Sequence, residues 1–324
     1  MTLGRTGSDA WYRRRIGAGV VVSVIAVVAC FLTARRLTTT SWPLERANLA
    51  LLLIASTGYL LSFFLRALGW QRLFPEDRPD RSRCLAACAA SAASGVVLPF
   101  RLDYVVKIWT LRKLGGVRLG LDTVGLSIVS LGMVDAVAML PLALSALATS
   151  NVVFRAPLVV VLLFCLCCTT ALALGPRLVL LPFVERSNRA RRCFSRVGKQ
   201  VTVSRSTVIA GGFLFGCWTM RAVAGTLVLS ALGAGFSPSS VLVVICLSAA
   251  TSILPITAGG VLVNVGTTSV VLLGIGVSRD AAIIFSLASG MLLTFSAFAA
   301  VVLGAAGSTL HTAQRRRLAH ATAV

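Results

Sequence analysis

The sequence predicts an all-α polytopic membrane bundle with six full spans, two re-entrant (or paired short) helical hairpins, and both termini in the cytoplasm. Three observations carry this prediction. First, 57% of the 324 residues are hydrophobic, 13% are charged, and mean hydropathy is +0.90. A soluble domain has about 45–50% apolar and about 25% charged residues. Second, the apolar residues collect in blocks of about twenty, the length that crosses a hydrocarbon core of about 30 Å. Third, 31 Lys+Arg stand against 10 Asp+Glu, a net charge of +21. These basic residues lie between apolar blocks rather than on one folded face, which argues against a nucleic-acid partner. The same arithmetic excludes a soluble enzyme, a disordered chain and a disulfide scaffold.

The first apolar block covers 16–34 and follows Arg13-Arg14-Arg15. A charged start before an apolar run can be a signal peptide, and Val27-Val28-Ala29-Cys30 fits a lipoprotein cleavage box. The run is long and ends in Arg35-Arg36, so an uncleaved span is expected. Further blocks cover 47–65, 84–99, 120–149, 157–175, 206–232, 239–254, 261–277 and 280–305. Orientation follows from where Lys and Arg accumulate. With both termini inside, 25 basic residues fall on the cytoplasmic side and five outside, leaving Arg221 within a span. The expected organisation is a basic N-terminus (1–15), one membrane domain (16–305) and a basic cytoplasmic tail (306–324). Within the domain, halves 47–149 and 206–305 flank a basic cytoplasmic loop, 177–205.

Two regions depart from simple spans. If 84–99 crossed alone, the basic stretch 100–118 would lie outside, so 84–114 reads as a hairpin entering from the cytoplasm. Residues 239–277 form its mirror, with two apolar arms around Pro255-Ile256-Thr257-Ala258-Gly259-Gly260. Non-helical backbone at membrane depth persists only where protein or a water-filled cavity satisfies it, so each break marks a cavity. The hairpins also match in sequence: Ser91-Ala92-Ala93-Ser94-Gly95-Val96-Val97-Leu98-Pro99-Phe100 aligns, with one gap, to Ser248-Ala249-Ala250-Thr251-Ser252-Ile253-Leu254-Pro255-Ile256. Each has a span before and after it, in the same order and with opposite orientation, the signature of inverted repeats.

Ionisable groups inside a membrane are expensive and usually face a bundle interior. Asp135 and Arg221 are such groups, each preceded by fifteen residues of its span, or about 22 Å of helix. They are expected at one depth, either as a structural ion pair or as a headgroup or proton site. Residues 101–114 read as a short basic amphipathic helix in which Asp103 and Lys107 are spaced for a local i,i+4 pair. Arg112 and Lys113 suit either lipid phosphates or plain cytoplasmic anchoring. Arg101 and Asp103 directly follow the break at Pro99. Most of the nine Cys lie in apolar stretches, as buried small hydrophobes do, and the two His, His311 and His320, are in the tail. No metal site, cofactor or catalytic constellation is expected.

Several stretches together resemble one family. They are Arg66-Ala67-Leu68-Gly69-Trp70-Gln71-Arg72-Leu73; Leu98-Pro99-Phe100-Arg101-Leu102-Asp103 with Leu111-Arg112 and Asp135; and Leu254-Pro255-Ile256-Thr257-Ala258-Gly259-Gly260-Val261. In this order they resemble the membrane domain of lysylphosphatidylglycerol synthases and its stand-alone, flippase-like relatives, over about residues 16–305. The resemblance implies lipid handling. The synthase domain that aminoacylates phosphatidylglycerol is not expected, because the chain ends shortly after the last span. Departures are also visible. Leu102 and Asp103 replace a family Gly-Glu, Ala258 replaces a proline, Leu262 a glycine, and Asn264-Val265 stands where an acid is expected.

The expected function is translocation of an anionic-headgroup lipid, a phospholipid or a polyprenyl-linked lipid, across a bacterial inner membrane. Its site would combine Pro99, Arg101, Asp103, Lys107, Asp135, Arg221, Pro255, Gly259, Gly260 and Asn264. The alternatives are a non-transporting partner of a lipid- or glycan-modifying enzyme, docking through 66–83 and 177–205, or a small-solute transporter. Lipid identity, direction, energy source and oligomeric state are not legible.

Overall fold

The computed structural model describes residues 47–74, 78–96, 98, 102–115, 120–178, 204–233, 237–251 and 260–321, with backbone alone for 115, 175–178, 250–251, 260–264 and 311–321. Regular structure among them is all helical: α1 (Leu49–Arg72), α2 (Arg81–Gly95), α3 (Asp103–Gly115), α4 (Leu121–Thr149), α5 (Val152–Leu178), α6 (Arg205–Ala231), α7 (Pro238–Thr251), α8 (Gly260–Gly274) and α9 (Arg279–Ala321). Five contain stretches long and apolar enough to cross a bilayer: Leu49–Arg72, Leu121–Thr149, Val152–Leu174, Arg205–Ala231 and Arg279–Leu310. Exposed Leu53, Ile54, Val160, Leu163, Phe295 and Val302 on these helices present an apolar exterior suited to lipid. The span expected at 16–34 and most of the 177–205 loop lie outside the described residues.

Several helices run longer than their apolar blocks. The α1 helix was expected to end at 65 but continues to Arg72, because Ala67 and Trp70 are buried and no proline intervenes before Pro75. The α5 helix starts at Val152 rather than 157 and takes in Arg155. The α9 helix runs on through the expected tail to Ala321.

The α1 and α6 helices pack antiparallel along their lengths. Asn48 caps α1 by accepting from Ala50 and Leu51 N–H at 3.1 and 3.3 Å. Its own N–H donates to Ala231 O, at the far end of α6, at 3.1 Å. Small residues permit the close approach, as in other membrane bundles: a Cβ on Gly58 would stand 3.3 Å from Ala224, and one on Gly69 3.2 Å from Ala210 O.

The α2 helix packs on α1, α3 and α9. Its run of Cys84, Leu85, Ala86, Ala87, Cys88 and Ala89 is buried all round, which short side chains permit. Gly304 of α9 is pressed so near that a Cβ would stand 2.6 Å from Ala86 N and 2.7 Å from Ser82 O. The α4 helix packs on α5, α6 and α7, and α8 on α7 and α9.

Candidate functional site

Two apolar clusters fill the bundle. One holds Tyr59, Met139, Ala224, Val228 and Phe285. The other holds Phe63, Trp70, Leu131, Val134 and Leu214. The seam between them crosses α1 between Tyr59 and Phe63, α4 at Asp135, and α6 between Leu214 and Ala224; Trp218 and Leu293 pack against both clusters. The seam opens into a cavity of about 680 Å³ to which every one of the nine helices contributes lining residues. That volume lies in the ordinary range for a ligand site, about 300–1,000 Å³.

The seam carries the charges. Asp135, 9% exposed, has both oxygens engaged. Arg66 Nη2 donates to Oδ2 at 2.6 Å, and Trp218 Nε1 donates to Oδ1 at 2.7 Å. Such short, charge-assisted bonds are the strong ones. The Trp218 indole also serves two cations: the Arg66 and Arg221 guanidiniums lie 5.9 and 5.2 Å from its ring centre. Arg221 lies 5.6 Å from the Phe63 ring as well, and its Nε donates to Ser62 Oγ at 3.3 Å.

Lys107, 4% exposed, projects from α3 onto the face of Trp70, 4.3 Å from the ring centre. Trp70 is fixed from behind, donating through Nε1 to Ser127 Oγ at 3.1 Å. Asp103 Oδ2 accepts from Ser91 Oγ at 3.3 Å, across the α2–α3 contact. Arg66, Asp103, Lys107, Asp135, Trp218 and Arg221 all line the cavity.

Four of the sequence-selected residues, Asp103, Lys107, Asp135 and Arg221, therefore meet in one cavity. Pro99, Arg101, Pro255 and Gly259 lie outside the described residues; Gly260 opens α8 and Asn264 follows in its first turns, both described by backbone alone. Two pairings need correction. Asp135 pairs with Arg66, while Arg221 meets the same carboxylate only through the shared indole. The local Asp103–Lys107 pair is not made either. Among the described residues the salt bridges are Arg66–Asp135 and Arg83–Asp80, because Lys107 turns under α1 and Asp103 turns to α2. Arg112 and Lys113 are exposed, with Lys113 stacked 4.5 Å over Trp109, and neither lines the cavity.

Arg66, Trp70 and Trp218 are site residues that the sequence reading did not select. Arg66 counted as a loop cation because the apolar block ends at Leu65. The signal was present nonetheless: Tyr59, Ser62, Phe63, Ala67 and Trp70 are the buried residues around it. Their spacing puts Arg66 on the same inward face.

No curated protein and no solved structure matches the chain. The family model described as the lysylphosphatidylglycerol synthase TM region matches residues 16–301. With most of its length covered by that match, and with five helices long and apolar enough to cross a membrane, the chain is a multi-pass membrane protein of the lysylphosphatidylglycerol synthase TM-region family.

Proposed function

We propose that the protein is a flippase-like translocator that moves an anionic-headgroup lipid between the leaflets of a bacterial inner membrane, with both termini cytoplasmic. The carrying observation is the charged cavity at the seam of two apolar clusters, lined by spans and by paired short helices alike. Buried ionisable groups facing such a cavity are the usual mark of a substrate or ion pathway.

The short helices support a re-entrant reading. The α2, α3, α7 and α8 helices have 15, 13, 14 and 15 residues, at most about 22 Å each at 1.5 Å per residue, against about 30 Å of hydrocarbon. The packing pairs support an inverted repeat. Exchanging α1 with α6, α2 with α7, α3 with α8 and α4 with α9 carries the α2–α9 contact onto α7–α4, and α2–α3 onto α7–α8. The antiparallel α1–α6 pair is carried onto itself. Transporters with such repeats bind substrate where the repeats meet.

The test is reconstitution into liposomes with labelled phospholipids and polyprenyl-linked lipids, scored for leaflet exchange. Exchange above protein-free vesicles is expected. No exchange of any of these lipids, with or without a proton gradient, sinks the translocator reading. A non-transporting partner role rests on 66–83 and 177–205; of these, Arg66 lines the cavity instead of offering a docking surface.

A further inference from the structure

Among the described residues, the cavity is lined by more cations than carboxylates. Its described lining carries Arg66, Lys107 and Arg221 against Asp103 and Asp135. Arg66 and Asp135 cancel each other, and Trp218 occupies the remaining carboxylate oxygen. Neither Lys107 nor Arg221 belongs to a salt bridge of the described residues. Each rests instead on an aromatic face, Lys107 on Trp70 and Arg221 on Trp218 and Phe63. An aromatic face offsets only part of the cost of burying a cation without a counter-ion. Asp103 supplies one compensating charge, held by Ser91 at the start of α3. Over the described lining the balance is one positive charge, with two cations that belong to no salt bridge of the described residues.

We infer that Lys107 and Arg221 are the phosphate-attracting groups of this cavity, and that its cargo is a lipid whose headgroup carries net negative phosphate charge with no compensating ammonium. The Arg66–Asp135–Trp218 cluster then holds the shape of the seat rather than touching the cargo. Phe63 and Trp70, which support the two cations, are seven positions apart on α1, about 10 Å along its axis. The two cations therefore offer a phosphate successive stations at different depths. Lys107 comes from the half with α1–α4 and Arg221 from the half with α6–α9, so a phosphate passing between them engages both halves. An aminoacylated headgroup of net positive charge meets like charge here and is disfavoured. The lipid nature of the cargo rests on the translocator reading; the phosphate seat does not.

The test is equilibrium binding to the full chain in phosphatidylcholine nanodiscs, with three probes: dihexanoyl phosphatidylglycerol, its lysyl ester and inorganic phosphate. Phosphatidylglycerol should bind at least about tenfold tighter than the lysyl ester, the size of one charge-assisted contact. Lys107→Gln and Arg221→Gln should each weaken it a few-fold, and together by about tenfold or more, whereas Lys107→Arg and Arg221→Lys should retain binding. Inorganic phosphate binding as tightly as the lipid, with the same loss in the variants, leaves the seat standing and removes the lipid reading. Equal affinity for the lysyl ester overturns the inference, as does unchanged lipid binding in a double variant that melts like wild type. No binding of either anion overturns it too. The comparison of lipid with lysyl ester uses the wild-type chain, so a variant that fails to fold does not block the test.

Discussion

The two short-helix pairs, α2–α3 and α7–α8, line the same cavity but bring opposite chemistry to it. The first pair delivers Asp103 and Lys107, and its α2 helix is wedged against α9 so tightly that glycine is required at 304. The second pair carries no charged residue over Pro238–Thr251 or Gly260–Gly274, and lines the cavity with side chains such as Val241, Val244, Ile245 and Thr268. Corresponding packing partners thus do not carry matched electrostatics. Cations and carboxylates gather where α1, α3, α4 and α6 converge, and the α7–α8 side offers an uncharged, mostly apolar wall. For a lipid this asymmetry is useful: the headgroup has one polar side to follow, and the chains have an apolar one.

The largest expected effect comes from breaking the charged side. Asp135→Leu leaves the partly buried Arg66 guanidinium without its partner, and the roughly 3–5 kcal/mol lost on breaking a fully buried pair sets the upper bound of the cost. Adding Arg66→Leu should restore most of that loss, because the pair can be replaced by apolar residues at little cost. Unfolding of the single and double variants in detergent checks this; a double variant no more stable than Asp135→Leu refutes the Arg66–Asp135 pairing as the source of the loss.

Next in size is the mechanical contrast. Gly304→Ala drives a methyl into the backbone of α2 at Ala86 and Ser82, and overpacking of this kind costs about 1–3 kcal/mol. Gly274→Ala meets the end of the Phe154 side chain rather than backbone, so its cost should be the smaller of the two, near the lower end of that range. Comparable losses in thermal stability would show that the second pair is seated as rigidly as the first. The smallest effect belongs to the uncharged wall. Thr268→Val should leave anion affinity within about twofold, the size of ~0.5 kcal/mol, while Lys107→Gln shifts it further. A larger change at Thr268 would place headgroup contacts on the second pair.

Sequence reasoning located helices well where a bilayer imposes a simple length rule. The block 120–149 became Leu121–Thr149, and 206–232 became Arg205–Ala231. It also selected Asp135 and Arg221, because a charge in hydrocarbon needs a reason to be there. It missed Arg66 because a hydropathy block ends at the first charge, whereas a helix ends only when its backbone hydrogen bonds do. It missed Trp70 because position 70 fell beyond that block, in the basic stretch 66–83, and it missed Trp218 because tryptophan in an apolar run reads as bulk. Only its neighbours reveal an indole as a cation seat and a carboxylate donor.

The amino-acid sequence alone determined that this is a multi-pass helical membrane protein, where most of its helices lie, and where two mid-span charges fall. These properties follow from the transfer cost of each residue and from local helix geometry, and both are written along the chain. Only the tertiary structure decided the partners: Arg66 with Asp135, Lys107 with Trp70, and Arg221 with Phe63 and Ser62. Each pairing joins helices far apart in sequence. Which cation keeps a carboxylate, and which is left for a ligand, depends on where packing of small residues brings those helices together.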